Sequence, residues 1–249
     1  MKQAIVFDVE DVLVNNRPEF FIATYNVYKN NSGNNLITMI EDVPSDFIEK
    51  YSVPDRWANQ IKHRLACYHC RDNAITPKTR EEFEEIMGRF SEAEIKKLEE
   101  SVARVRTELK KKENWYFDIV KPFDGIQKLV AEISKKYDLF VSTSNPQAKM
   151  AVMKYFPEFP EKNIYTKEHG TKPENVKLVI KQNYDSVYFI DDNFTNTIDV
   201  VDAVPDVRGL VNDWGGKFSR KDLENEPSLQ NYKDKIKIVN MLELSELLL

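Results

Sequence analysis

The chain predicts an α/β fold built on a parallel sheet, and three observations carry that prediction. Short apolar, β-branched runs alternate with helical patterns of about 10–15 residues along the second half of the sequence. The first three of these runs end in acidic or hydroxyl residues: Asp8, then Ser142-Thr143-Ser144, then Asp191-Asp192. Between the first run and the rest, residues 18–115 have a different texture and read as a succession of helices. Ligands of parallel sheets sit beyond the carboxyl ends of the strands, so the polar strand ends point to one converging site.

Ala4-Ile5-Val6-Phe7 reads as a buried strand that stops at Asp8. In the helical stretch, Thr79-Arg80-Glu81-Glu82 and Ser91-Glu92-Ala93-Glu94 are capping-box signatures. Behind the second, Ile95, Leu98, Val102, Val105 and Leu109 recur at spacings of three and four, the single apolar stripe of a packed helix. The basic run 110–112 suits the negative end of that helix. Residues 30–35 and Val53-Pro54 read as loops. After Pro122, Ile126, Leu129, Val130 and Ile133 share a helix face, and Leu139-Phe140-Val141 reads as a strand. Pro146 restarts a helix carrying Ala148, Val152 and Tyr155, and Val176, Val179 and Ile180 mark another. Residues 187–190, 207–211 and 236–239 complete the set of strands.

Composition excludes several classes. At 249 residues, with 41% hydrophobic and 31% charged residues, the chain is globular and long enough to bury a sizeable core. Its seven glycines are under half the roughly 7% average, and none spell a glycine-rich nucleotide loop. Phosphate chemistry here must therefore use side chains and metal. Thirty-six basic residues against 41 acidic ones give a net charge of −5, which argues against nucleic-acid binding. There is no 18-residue apolar run to span a membrane, and no signal peptide is legible before Asp8. Two cysteines fit a reducing compartment, so the expected location is cytoplasmic.

Asp8, Glu10, Asp11, Asp191 and Asp192 all follow strand ends. Carboxylates gathered this way repel one another unless a cation neutralises them, and hard oxygen ligands favour Mg²⁺. Phe7-Asp8-Val9-Glu10-Asp11-Val12-Leu13, Leu139-Phe140-Val141-Ser142-Thr143, Thr171-Lys172-Pro173-Glu174 and Phe189-Ile190-Asp191-Asp192-Asn193-Phe194-Thr195-Asn196 follow one another in order. Together they resemble the four motifs of the haloacid dehalogenase-like hydrolase superfamily, over residues 1–16 and about 120–249.

The resemblance implies a Rossmannoid parallel-sheet core, residues 1–16 and 119–249, with an α-helical cap inserted at 17–118. It also implies a phosphatase that acts through an aspartyl-phosphate on a small phosphorylated substrate, with no nucleic-acid or membrane partner. In that scheme Asp8 is the nucleophile and Glu10 occupies the general acid/base position. Ser142 and Lys172 bind the transferring phosphoryl oxygens, with Thr143 and Ser144 as alternative hydroxyls. Mg²⁺ is held by Asp8, Asp192 and the backbone carbonyl of Glu10, with Asp191 nearby. Phosphatases of this family carry Asp where this chain has Glu10, one methylene longer. A dehalogenase, a phosphomutase and a catalytically weakened binding protein stay open as alternatives on the same fold.

Two further sets of residues stand out in the cap. Arg17, Arg64, Arg71, Trp57 and Trp115 could recognise a charged or planar substrate. On a helix, His63, Cys67 and Cys70 would share one face as three zinc ligands, although the same face serves equally for packing. His169 lies in the loop before Lys172, at the site entrance or on the surface.

Overall fold

The computed structural model describes residues 2–58 and 60–249. Its strands are β1 (Gln3–Phe7), β2 (Val14–Asn15), β3 (Lys121–Pro122), β4 (Asp138–Ser142), β5 (Ile164–Tyr165), β6 (Ser186–Asp191), β7 (Val207–Asn212) and β8 (Ile236–Val239). Six of them form one sheet in the order β5-β4-β1-β6-β7-β8, and every neighbouring pair is parallel. β2 and β3 pair separately as a short antiparallel ribbon. That ribbon and β5 are two residues long in each strand, too short to leave a periodic signal in the sequence.

The chain divides into two compact units, residues 1–15 with 121–249, and residues 16–120. The second is helical, with α1 (Arg17–Tyr28), α2 (Ser45–Asp55), α3 (Arg64–Asp72), α4 (Arg80–Met87), α5 (Glu92–Lys110) and α6 (Trp115–Ile119). Ser91 and Glu94 close a full capping box on α5, and Leu98, Val102, Val105 and Leu109 bury its stripe. The box expected at Thr79 forms only in half. Thr79 accepts from the Glu82 amide, but the Glu82 carboxylate turns to the Lys78 amide at 2.6 Å. Val53-Pro54, expected in a loop, lies inside α2. Proline costs one backbone hydrogen bond there, and in the last turn its ring disturbs no further turn of helix.

A bidentate pair ties α1 to α5, with both nitrogens of the Arg106 fork 2.9 Å from the buried Glu19 carboxylate. Removing Arg106 would strand the buried Glu19 charge at a cost of about 3–5 kcal/mol. The zinc arrangement does not form. α3 starts only at Arg64, and His63 belongs to the 3₁₀ turn before it, edge-on to Phe83. Cys67 and Cys70 are buried free thiols whose pKa burial pushes up. Among the described residues they belong to no group of three metal-competent side chains.

The sheet unit continues with α7 (Ile126–Ile133), α8 (Pro146–Tyr155), α9 (Lys172–Ile180), α10 (Phe194–Ala203), α11 (Arg220–Glu224), α12 (Pro227–Gln230) and α13 (Met241–Leu248). Strand alternation sends Ala4, Val6, Phe140, Val187 and Phe189 to one face, where Val176 and Val179 of α9 and Val200 of α10 cover them. Truncating a side chain such as Phe189 to alanine would cost about 3–5 kcal/mol. A second cluster packs α10, α11 and α12 against β7 and β8 through Val201, Val211, Leu223, Leu229 and Ile236. Among the described residues no helix is long and apolar enough to cross a membrane.

Candidate active site

Strand register assembles the site. Phe7 pairs with Val141 on one side and Ile190 on the other, so the next residues, Asp8, Ser142 and Asp191, reach the same edge of the sheet. The Asp8 amide continues the ladder with a 2.8 Å bond to the Ile190 carbonyl. Lys172 reaches this edge as the first residue of α9, whose start is fixed by a capping box between Thr171 and Glu174. Its Nζ lies 3.0 Å from Asp8 Oδ2 and 2.5 Å from Asp191 Oδ2. Burial alone would lower the lysine pKa, but the two carboxylates outweigh it and leave the ammonium firmly charged.

Oxygens of Asp8, Asp191 and Asp192 lie within 4.8 Å of one another. Asp191 is already well satisfied. Besides Lys172, its carboxylate accepts the Asn193 amide at 2.8 Å and Asn196 Nδ2 at 3.2 Å. Asp8 and Asp192 are not matched in this way. Burial first, and then neighbouring carboxylates, push both well above the usual carboxylate range, with lysines only partly opposing the shift. Hard oxygen donors crowded until their protons are held too tightly are the donor set that a divalent cation relieves. The residues present therefore fit a magnesium ion, with Asp8 and Asp192 as the carboxylates left to meet it.

The structure separates the candidate hydroxyls. Ser142 is fully buried, and its Oγ accepts Asn175 Nδ2 at 3.1 Å. Thr143 Oγ1 instead donates to Glu10 Oε2 at 3.2 Å and accepts the Asn145 amide at 3.0 Å. Ser144 is exposed. A cleft of about 340 Å³ opens here, lined by Thr143, Ser144, Lys167, Gly170, Lys172 and Asn175. The Glu10 carboxylate is held a second time, by Asn145 Nδ2 at 2.7 Å. His169 is exposed and staples its own loop by accepting the Thr166 amide at 3.1 Å.

Behind Glu10 the chain turns sharply. Asp11 adopts a left-handed conformation with φ 58°, which aspartate tolerates better than most residues. The end of β7 and the loop after it clamp this turn, with Asn212 Nδ2 on the Asp11 carbonyl and Trp214 Nε1 on the Val12 carbonyl, each at 3.0 Å. Gly215 touches the same turn so closely that a Cβ would come within 2.4 Å of the Asp11 oxygen. No motif in the sequence assigns a role to Asn145, Asn175, Asn212, Trp214 or Gly215. Only Asn145 left a trace, as the N-cap before Pro146.

No family model matches the chain, and no curated protein matches it by sequence. Solved structures do match along its whole length. A haloacid dehalogenase-like family hydrolase from Streptococcus pneumoniae superposes with a TM-score of 0.59 at 18% identity, covering 99% of this chain and 98% of its own. A candidate phosphoglycolate phosphatase from Lactobacillus plantarum gives 0.58 at 15% identity, covering 99% and 100%. A candidate hydrolase of the same class from Bacillus subtilis, bound to magnesium, gives 0.52 at 13% identity, covering 99% and 98%. Sheet order, strand-end carboxylates and these superpositions agree: the chain has the fold of the haloacid dehalogenase-like hydrolases.

Proposed function

We propose that this protein is a magnesium-dependent phosphatase acting on a small phosphorylated metabolite through an aspartyl-phosphate on Asp8. The observation that carries this reading is the contact of Lys172 with both Asp8 and Asp191 beside a cation-ready carboxylate group. Asp8 is the attacking carboxylate, and its Oδ2 is directed by the Lys172 ammonium. Lys172 then stays beside the transferring phosphoryl group as a fixed positive charge. Asp191 keeps Lys172 in place and is a positioning residue.

Thr143, rather than Ser142, is the hydroxyl we assign to the phosphoryl oxygens. Ser142 is fully buried against Asn175, whereas Thr143 lines the cleft with Lys172, and on substrate binding its hydroxyl would turn from Glu10 to the phosphoryl oxygens. Glu10 donates the proton to the leaving oxygen and later takes one from the attacking water. Its longer side chain is held at both oxygens, by Thr143 and Asn145, which offsets the freedom that the extra methylene brings. Asp8, Asp192 and the Glu10 carbonyl would hold a magnesium ion, which when bound would supply charge neutralisation for the nucleophile and the phosphate.

A dehalogenase has no need of Asp191 and Asp192 beside the nucleophile, so the carboxylate cluster favours phosphate. The test is phosphate release from p-nitrophenyl phosphate and a metabolite panel. Turnover should require Mg²⁺ and vanish in Asp8→Asn. A folded wild-type protein inert across the panel with Mg²⁺, or one whose activity EDTA leaves intact, would overturn the proposal.

A further inference from the structure

Three charged residues line the cleft that holds Thr143: Lys172, Glu174 and Lys167. Two of them are committed. Lys172 is closed by Asp8 and Asp191. Glu174 Oε2 accepts the Thr171 amide at 2.7 Å and the Thr171 hydroxyl at 2.8 Å, and its charge faces the positive end of α9. Lys167 is different. Among the described residues its ammonium makes no ion pair or hydrogen bond, and no step of the phosphatase scheme uses it.

The backbone of Lys167 is nonetheless held in place. Thr166 and His169 close a turn around it, with the His169 amide on the Thr166 carbonyl at 2.9 Å and the Thr166 amide on His169 Nδ1 at 3.1 Å. The Thr143 amide bonds to the Tyr165 carbonyl at 3.0 Å, which ties this turn to the residue assigned to the phosphoryl oxygens. Gly170, with φ 136°, then carries the chain past Glu174, where a Cβ would meet Oε2 at 2.8 Å. Thr143, Lys172 and Lys167 are thus set around one cleft of about 340 Å³, which has room beyond a phosphoryl group. The cation left without a partner there calls for one more negative group.

We propose that Lys167 is a specificity-determining residue, which selects phosphate esters carrying a second oxyanion, a carboxylate or a further phosphate, by pairing with that group. The inference rests on the phosphoryl position assigned to Thr143 and Lys172. An ammonium is a point charge on a flexible four-carbon stem, so it meets either oxyanion without demanding one orientation. An ester whose remaining groups are neutral leaves the ammonium in water and gains nothing from it.

Calorimetric titration of the full chain in excess Mg²⁺ tests the pairing, with propylphosphonate, 3-phosphonopropionate and propane-1,3-diphosphonate on wild type, K167M and K167R. Each probe has a three-carbon skeleton and one phosphonate for the phosphoryl position; the second adds a carboxylate and the third another phosphonate. Wild type should bind at least one of these two at least about fivefold more tightly than propylphosphonate. K167M should bring the affinities level, and K167R should keep the preference. The probe preferred identifies the second group as carboxylate or phosphate. Equal affinities in wild type, a preference that survives K167M, or no binding of any probe to wild type would overturn the assignment. Failure of the phosphatase reading is told apart by turnover. A wild type inert on p-nitrophenyl phosphate that still shows the Lys167-dependent preference keeps the subsite and loses the reaction.

Discussion

Asn145 serves two elements at once. Its Nδ2 donates to Glu10 Oε1 at 2.7 Å, while its Oδ1 caps α8 by accepting the Gln147 amide at 3.1 Å. The helix start thus fixes the amide, and the amide fixes the carboxylate of the first acidic loop.

This coupling makes the length of Glu10 testable. Glu10→Asp withdraws the carboxylate from both Asn145 and Thr143, so kcat should fall by about ten- to a hundredfold. Asn145→Ala should lower kcat in the same direction with little change in KM. Steady-state kinetics on p-nitrophenyl phosphate decide the matter, and a faster Glu10→Asp enzyme would show that the extra methylene is a handicap.

The two neighbouring hydroxyls should part company. Thr143→Ala removes a hydroxyl that lines the cleft and should raise KM or lower kcat by at least about tenfold. Ser142→Ala leaves Asn175 without its acceptor inside the sheet and should cost about 1 kcal/mol of stability with activity largely kept. Comparing melting temperature and kinetics for the pair separates the roles.

Crowded carboxylates should make folding sensitive to magnesium. At a hundred times Kd the ion stabilises the fold by about 2.7 kcal/mol, or roughly 5–10 °C for a chain of this size. Asp192→Asn removes one of the repelling charges beside Asp191 and Asp11. In EDTA it should therefore melt above wild type, and its response to added Mg²⁺ should be lost. Thermal melts with and without the metal check both halves.

Gly215 should tolerate no side chain. A methyl group there would sit 2.4 Å from the Asp11 carbonyl oxygen and 3.2 Å from Asp192 Cβ. Gly215→Ala must displace the turn that carries Glu10, at a cost of about 1–3 kcal/mol. Its kcat should fall with its melting temperature, whereas a fully active and stable variant would show that the turn has slack.

Much of the core was legible because its signals are local. The five longer strands announce themselves as apolar runs, and the capping box at Ser91 is a hydrogen-bond pattern closed within four residues. Local patterns also misled. Thr79 and Glu82 have the right spacing, yet the carboxylate found the Lys78 amide, which competes at the same reach. Pro54 reads as a loop residue, but in the last turn of α2 it has no following turn of helix to disrupt. His63 keeps helical dihedrals before α3, so His63, Cys67 and Cys70 hold their helical spacing, yet their ligand atoms do not gather and the two thiols are buried.

The order of strand-end acids, the helix that presents Lys172 and the helical insertion are written along the chain, since each depends on neighbouring residues and hydrophobic period. Which hydroxyl faces the cleft depends on where β4 ends and on Asn175 arriving from α9, a contact between residues 33 apart. The hold on Glu10 and the clamp of Asn212 and Trp214 on the Asp11 turn arise in the same way. Hydrogen bonding and desolvation are decided by what surrounds a group in space, and folding brings those surroundings from distant parts of the chain.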